Sequence, residues 1–188
     1  QACSLHCKTT KREAVVAMLE TERLLLREFC LDDAGIVLAL LNDPDFIANI
    51  GDRGVRDLQQ AQTYLLTGPM KSYRDNGFGL YAIERNDKGG VIGMCGLIKR
   101  DALAGIDLGY ALLPPARRQG YAREAAARVI EQARVTLKLD TLLAIVNPAN
   151  AASLALLEAL ESHYQRRVQL ARDEDSISLY ALTLKSAD

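Results

Sequence analysis

Residues 117–122, RRQGYA, place two arginines and a glycine at the start of a predicted helix, directly after Pro114 and Pro115. The backbone N–H groups of a helix start have no acceptor within the helix, and the helix dipole favours an anion there. Gly120 lets the backbone approach a phosphate closely, and Ala122 keeps the next contact point small. The segment therefore predicts a phosphate-binding turn, although helix physics alone fits a plain helix start with two solvated arginines equally well.

A second polar run follows a short apolar segment further along the chain. Its members Asn147, Asn150 and Ser153 are spaced by three, which places Asn150 and Ser153 on one face of a helix start. Taken alone, the two asparagines are more typical of a loop and a helix cap. The run becomes informative only together with the other motifs and their order.

These motifs resemble those of the GNAT family of N-acetyltransferases. Residues 117–122 read R-x-x-G-x-A, which is similar to the family's pyrophosphate-binding signature Q/R-x-x-G-x-G/A. The run N-x-x-N-x-x-S, the opening LETERLLLREF and the segment IDLGYALLPPARRQGYAREA resemble the branch that includes ribosomal-protein N-terminal acetyltransferases of the RimJ/RimL type. Each motif is weak by itself, but three in the right order are a strong signal, and the resemblance extends from residue 18 to about residue 184.

The resemblance implies that two parallel strands splay apart and that acetyl-CoA, as cosubstrate, lies in the opening. Its pantetheine amides would pair with main chain at residues 111–113, and its pyrophosphate would lie on the N–H groups of residues 119–123. The acetyl-CoA-binding residues predicted in this way are Ala111, Leu112, Leu113, Arg117, Arg118, Gln119, Gly120, Tyr121, Ala122, Arg123, Asn147, Asn150 and Ser153.

The transfer also needs a base, since an amine must lose a proton before it attacks the thioester. Strand alternation places Asp107, Gly109 and Ala111 on one face, which is small and carries one carboxylate. Asp107 is therefore the first candidate for the general base and Glu84 the second, although a structural carboxylate explains Asp107 about as well. An α-amino group has a pKa of about 8, against about 10.4 for lysine, so a weak base acting through water would suffice for a peptide N-terminus.

Two departures from the family pattern concern the helix that carries Ser153. Many GNAT enzymes use a tyrosine to protonate the departing thiolate, but Leu157 stands at the matching position. Ser153 is therefore predicted to donate a hydrogen bond to the CoA sulfur. The usual Leu-Gly-Phe after this helix is replaced by residues 160–162, LES. Because Glu161 cannot adopt a left-handed conformation cheaply, the sequence leaves the chain path after Leu160 open.

The predicted elements that position these residues follow the order β-α-α-β-β-β-α-β-α-β-β. Alternating apolar residues and turn segments such as RNDKGG predict an antiparallel meander, and one crossover from residues 105–113 to 141–146 predicts a parallel pair. The second helix, residues 57–76, contains Gly68-Pro69 and should break or kink there. We therefore predict an α/β (α+β) fold with a GNAT-like mixed, mostly antiparallel sheet of about seven strands flanked by about four helices, in which the fourth and fifth strands form the splayed parallel pair.

The composition is typical of a globular chain. Its 188 residues are 49% hydrophobic and 25% charged, and the net charge of −1 gives no general attraction to nucleic acid or to a membrane. No apolar run approaches the roughly 18 residues of a transmembrane helix, and four cysteines without a paired framework favour a reduced, cytoplasmic setting. We expect residues 1–17 to be a disordered tail or an upstream remnant before Met18, and residues 18–188 to form one acetyltransferase domain.

A metal site is not expected, because the Cys3, His6 and Cys7 cluster in the tail lacks an evident fourth ligand. The family chemistry also implies no metal. The preferred acceptor is the α-amine of a protein or peptide N-terminus. The alternatives are a small amine, such as a polyamine or an aminoglycoside, and an acyl-CoA-binding sensor without turnover, which the lost tyrosine and Gly-Phe make conceivable. We predict a monomer or a homodimer.

Overall fold

The computed structural model describes residues 18–87, 89–170 and 176–184, so the predicted tail at residues 1–17 lies outside the described part. Within these ranges the chain forms eight strands, six α-helices and two short 3-10 helices at Leu31–Asp33 and Pro114–Ala116. The strands are β1 Leu19–Glu20, β2 Leu24–Arg27, β3 Leu80–Arg85, β4 Gly90–Lys99, β5 Ile106–Leu112, β6 Thr141–Val146, β7 His163–Val168 and β8 Ile177–Thr183. The helices are α1 Ala34–Leu41, α2 Pro44–Ile50, α3 Leu58–Thr67, α4 Pro69–Asn76, α5 Tyr121–Val135 and α6 Ala151–Ala159.

The strands form one mixed sheet in the order β1-β2-β3-β4-β5-β6-β8-β7. Neighbours are antiparallel except β5 and β6, which are parallel and pair at one register position, Asp107 opposite Leu143. Beyond this position β5 continues to Leu112 and β6 to Val146 without further pairing between their described residues. The predicted fold class and the splayed parallel pair are therefore confirmed.

Two apolar clusters cover the two faces of the sheet. Helix α5 contributes Val129 to the cluster on one face, together with Leu108 of β5. Helices α1 and α3 contribute to the cluster on the other face, against which Ala111 of β5 packs. The β4–β5 register runs without a shift, so the side-chain alternation predicted for β5 holds along the strand.

The helices agree with the prediction at one notable place and differ from it at another. The long second helix is divided at Gly68 and Pro69 into α3 and α4, as the Gly-Pro pair predicts. Helix α2 was not predicted, because Asp43 and Pro44 were interpreted only as the end of α1. Asp43 instead caps α2 by accepting a hydrogen bond from the N–H of Phe46 at 3.2 Å, and proline is favourable at the first helical position.

The chain after α6 takes the left-handed turn that the sequence argued against. Glu161 has a φ of 58°, and the N–H of Ser162 donates to the carbonyl of Leu157 at 3.0 Å. The Ser162 hydroxyl donates to the same carbonyl at 2.6 Å. A left-handed conformation costs a non-glycine residue about 1–2 kcal/mol, and these two bonds to an otherwise free helix-end carbonyl offset part of that cost. The path that the sequence left open is therefore a left-handed turn at Glu161.

Candidate functional site

The turn before α5 is open to solvent. Arg118 and Gly120 have φ values of 61° and 81°, and Gly120 precedes the helix without any side-chain cap. The N–H groups of the first helical residues Tyr121, Ala122 and Arg123 have no acceptor within the helix. Residues 118–120, which follow the end of β5, are exposed, whereas Tyr121 is buried.

Arg117 does not add its charge to this turn. Its Nε donates to the carbonyl of Leu112 at 3.0 Å, and its two terminal nitrogens bind the carboxylates of Asp43 and Asp45. Asp43 is buried, so the pair is partly shielded from water. The guanidinium predicted to face a phosphate instead ties the end of β5 to the start of α2, while Arg118 remains exposed.

The end of β6 forms the other side of the opening. Asn150 caps α6 by accepting from the N–H of Ser153 at 3.1 Å, and Asn147 accepts from the N–H of Ala149 at 2.9 Å. These are the loop and cap roles that the spacing alone favoured for the asparagines. The Ser153 carbonyl accepts a hydrogen bond from the Tyr110 hydroxyl of β5 at 3.4 Å, so the first turn of α6 lies next to β5. The Ser153 side chain also interacts with the Tyr110 hydroxyl.

Helix α2 spans the two sides of the opening. Arg117, which follows β5, binds the first turn of α2, and the Asn147 amide, which follows β6, donates to the carbonyl of Ala48 at 3.3 Å. The helix therefore connects the diverging strand ends. Sequence reasoning missed this element, although Asp43 followed by Pro44 is a recognisable helix-start signal.

Asp107 lies where β5 and β6 still pair, at the closed end of the opening. It is fully buried, and the Nε of Arg100 donates to its two oxygens at 3.1 and 3.2 Å. Burial raises the pKa of the Asp107 carboxyl, while the Arg100 guanidinium opposes this rise. Because the carboxyl is fully buried, water or an opening motion must connect it to any acceptor.

Glu84 lies elsewhere. It belongs to β3, which β4 separates from β5, and its carboxylate accepts a hydrogen bond from the Nε of Arg27 at 2.8 Å. Arg27 in turn binds Asp33 through two nitrogens, each at 2.9 Å. The structure therefore does not bring Glu84 to Asp107 or Ser153, and its role as a second base stays a prediction that this ion-pair network disfavours.

An open turn at a helix start, next to a parallel pair that diverges, agrees with the motifs of the sequence. A family model described as an acetyltransferase (GNAT) domain matches residues 23–162. The chain belongs to the GNAT acetyltransferase family. It is accordingly an acetyltransferase, and the resemblance recognised from the sequence is confirmed.

Known proteins similar to this GNAT enzyme agree with the assignment. The uncharacterized N-acetyltransferase p20 of Bacillus licheniformis is 30% identical over 145 residues, covering 76% of this chain and 80% of that protein. The crystal structure of an acetyltransferase from Agrobacterium tumefaciens has a TM-score of 0.76 at 24% identity, covering 93% of this chain and 99% of that one. RimL, a ribosomal L7/L12 α-N-protein acetyltransferase solved with coenzyme A, has a TM-score of 0.75 at 13% identity, covering 89% and 98% of the two chains. The likeness in fold thus includes the RimJ/RimL branch.

This GNAT enzyme has no tyrosine at the position where many relatives have one. Leu157 is 1% exposed and packs in the same apolar cluster as α5. A tyrosine on the neighbouring strand, Tyr110, donates a hydrogen bond to the Ser153 carbonyl at 3.4 Å, and burial raises its pKa to about 12.

Two further predictions concern metals and membranes. Among residues 18–87, 89–170 and 176–184, no group of three histidine, cysteine, aspartate or glutamate side chains could hold a metal ion. Cys3, His6 and Cys7 lie outside those ranges, so the absence of a metal stays a prediction. None of the described helices combines the length and the apolar character needed to cross a bilayer.

Proposed function

We propose that this GNAT enzyme transfers the acetyl group of acetyl-CoA directly to the α-amine of a peptide N-terminus, in a ternary complex. The observation that carries the proposal is the turn at residues 118–123, in which residues 118–120 are exposed and which follows the end of β5. Beyond Asp107, the described residues of β5 do not pair with β6. The donors of this turn suit a diphosphate, and the family signature that they carry supports the same ligand.

The end of β5 suits the pantetheine arm of acetyl-CoA. The N–H of Leu113 donates toward β4, to the carbonyl of Ile92 at 2.9 Å. Because backbone groups alternate along a strand, the N–H of Leu112 faces the unpaired edge instead. Among residues 111–113, the Leu112 N–H can therefore donate to a carbonyl of the arm or to the negative charge that develops on the acetyl oxygen, while the Leu112 carbonyl already accepts from Arg117.

The reaction needs only groups already described. The amine nitrogen attacks the acetyl carbon, so an N–C bond forms while the C–S bond breaks. The amine proton passes through water to the Asp107 carboxylate. The Ser153 hydroxyl donates a hydrogen bond to the departing sulfur until solvent protonates it. An α-amine, with a pKa of about 8, supplies far more neutral nucleophile at pH 7 than a lysine does.

Substitution of Ser153 by alanine tests the role of the hydroxyl. We expect kcat to fall about tenfold, because one hydrogen bond to the developing thiolate is lost, while the dissociation constant for acetyl-CoA changes less than twofold. Steady-state kinetics and titration calorimetry measure the two quantities. Ser162→Ala is the matched control, since it removes a hydroxyl from the other end of α6, where it binds the Leu157 carbonyl. A wild-type kcat in Ser153→Ala would remove this residue from the mechanism.

The acceptor class is tested by thiol release with a panel of amines. The panel holds peptides with a free N-terminus, the same peptides N-blocked with an internal lysine, polyamines and aminoglycosides. We expect the largest kcat/KM for the free N-termini. A larger value for polyamines or aminoglycosides would favour the small-amine alternative, which the structure disfavours because Asp43, Asp45 and Asp107 are each paired with an arginine.

The non-catalytic alternative rests on two features, the buried Leu157 in place of the usual tyrosine and residues 160–162, LES, in place of the usual Leu-Gly-Phe. Tight binding of acetyl-CoA without release of CoA for every amine in the panel would support such a sensor and contradict the proposed transfer. The cytoplasmic location, the independence from nucleic acid and membranes, and the monomeric or dimeric state remain predictions.

A further inference from the structure

The turn before α5 is held from outside the motif by Arg23, which lies between β1 and β2. The Nε of Arg23 donates to a carboxylate oxygen of Glu124 at 2.7 Å, and its Nη1 donates to the carbonyl of Gln119 at 3.0 Å. The guanidinium also lies over the ring of Tyr121, 4.5 Å from its centre. A residue roughly 100 positions away in the chain is thus bound to three residues of the turn and the first turn of α5.

Glu124 secures this arrangement from the helix side. Its other oxygen accepts from the Thr21 hydroxyl at 2.6 Å and from the N–H of Arg23 at 2.9 Å. Burial opposes ionisation of the carboxyl, but these bonds from Thr21 and Arg23 hold its pKa below the usual value. Arg23 therefore faces a charged partner, and its orientation is determined by contacts on both its backbone and its side chain.

The third guanidinium nitrogen of Arg23, Nη2, takes no part in the hydrogen bonds to Glu124 and Gln119. Within the described residues its Nη2 has no hydrogen-bond acceptor, and it lies 3.3 Å from the position that a Cβ atom on Gly120 would occupy. The side chain is 45% exposed, so the free nitrogen is accessible to a ligand at the turn. Because Nη1 holds the Gln119 carbonyl, a cation stands next to the N–H donors of residues 121–123.

We propose that Arg23 is a further diphosphate-binding residue, whose Nη2 contacts the pyrophosphate of acetyl-CoA beside Gly120. This inference rests on the proposed function. It supplies the charge that Arg117 does not, since Arg117 is committed to Asp43 and Asp45. Guanidinium groups suit phosphate oxygens because they offer several donors in a fixed plane.

The test compares Arg23→Gln with Arg85→Gln. Arg85 also lies near the Tyr121 ring, 5.7 Å from its centre, but it pairs with Asp87 and makes no hydrogen bond to the turn. Each variant and the wild type is assayed with acetyl-CoA, acetyl-dephospho-CoA and S-acetylpantetheine, which has no diphosphate. Melting curves establish a temperature at which all three proteins are folded.

For Arg23→Gln we expect kcat/KM to fall about tenfold with acetyl-CoA and with acetyl-dephospho-CoA, through KM, and to stay at the wild-type value with S-acetylpantetheine. Arg85→Gln should match the wild type with all three donors. Three results would overturn the proposal. An equal loss of kcat/KM with S-acetylpantetheine would show a purely structural role, and a loss confined to acetyl-CoA would move the contact to the 3′-phosphate. An unchanged kcat/KM of Arg23→Gln with all three donors would show no role at all. Failure of the wild type to use or bind acetyl-CoA would instead overturn the proposed function.

Discussion

Substitution of Gly120 by glutamate should abolish measurable acetyl-CoA binding while the protein stays folded. The new carboxylate would lie among the N–H donors that the diphosphate is proposed to use. It would fill the space left by the missing side chain and repel the negatively charged diphosphate. A side chain at this position also starts 3.3 Å from the Nη2 of Arg23. We expect the dissociation constant to rise by at least about 100-fold, since several charge-assisted hydrogen bonds are lost together.

The control for Gly120→Glu is Gly77→Glu. Both glycines have a positive φ, 81° and 74°, and are exposed, but a Cβ on Gly77 would meet no atom within 4 Å. Each substitution should lower the free energy of unfolding by about 1–2 kcal/mol, because a non-glycine residue is strained in this conformation. Titration calorimetry with acetyl-CoA and thermal unfolding separate the effects. An unchanged affinity in Gly120→Glu would refute the diphosphate assignment.

Substitution of Asp107 by asparagine should lower kcat/KM by about 100-fold or more, which is the usual contribution of a general base. The variant keeps the shape of the side chain but loses the ability to take up a proton and the charge that pairs with Arg100. Acetyl-CoA binding should stay within about twofold of wild type, because the diphosphate turn lies beyond the other end of β5. Kinetics with a peptide acceptor and calorimetry with acetyl-CoA measure the two effects.

The pH dependence supplies an independent check on Asp107. A base acts only when deprotonated, so the rate should rise with pH through the pKa of Asp107, which burial holds above its ordinary value. Arg100 lowers that pKa, so Arg100→Gln should remain active and should show the rising limb of its profile at a higher pH than wild type. If the rising limb of the pH–rate profile of Arg100→Gln lies at the same pH as in wild type, or if Asp107→Asn keeps wild-type activity, another group accepts the proton.

The elements that local patterns specify could be predicted from the sequence. The alternation along β5, the break between α3 and α4 and the helix start at residues 117–122 follow from side-chain period, from the Gly-Pro pair and from turn residues. Each of these signals involves only a few neighbouring positions, so it can be recognised without knowledge of the tertiary contacts. The parallel pair followed as well, because one crossover connects its two strands.

The role of Arg117 was missed because its partners are distant in the sequence. Arg117 was expected to face a phosphate, but Asp43 and Asp45, more than 70 positions earlier, bind its guanidinium. A contact outside the local pattern decided its orientation, as tertiary contacts commonly do. The path after α6, which the sequence left open, has a local basis instead, because the hydrogen bonds of Ser162 to Leu157, five positions earlier, accompany the left-handed conformation of Glu161.

The amino-acid order by itself determined the mixed sheet, the diverging parallel strands and the glycine turn, and through their motifs the GNAT family. Only the tertiary structure decided which charges remain free at the opening. It pairs Asp107 with Arg100 and brings Arg23 to Gly120. The physical reason is that backbone conformation responds to neighbours in the chain, whereas the partner of a charged side chain is set by which elements the fold packs together.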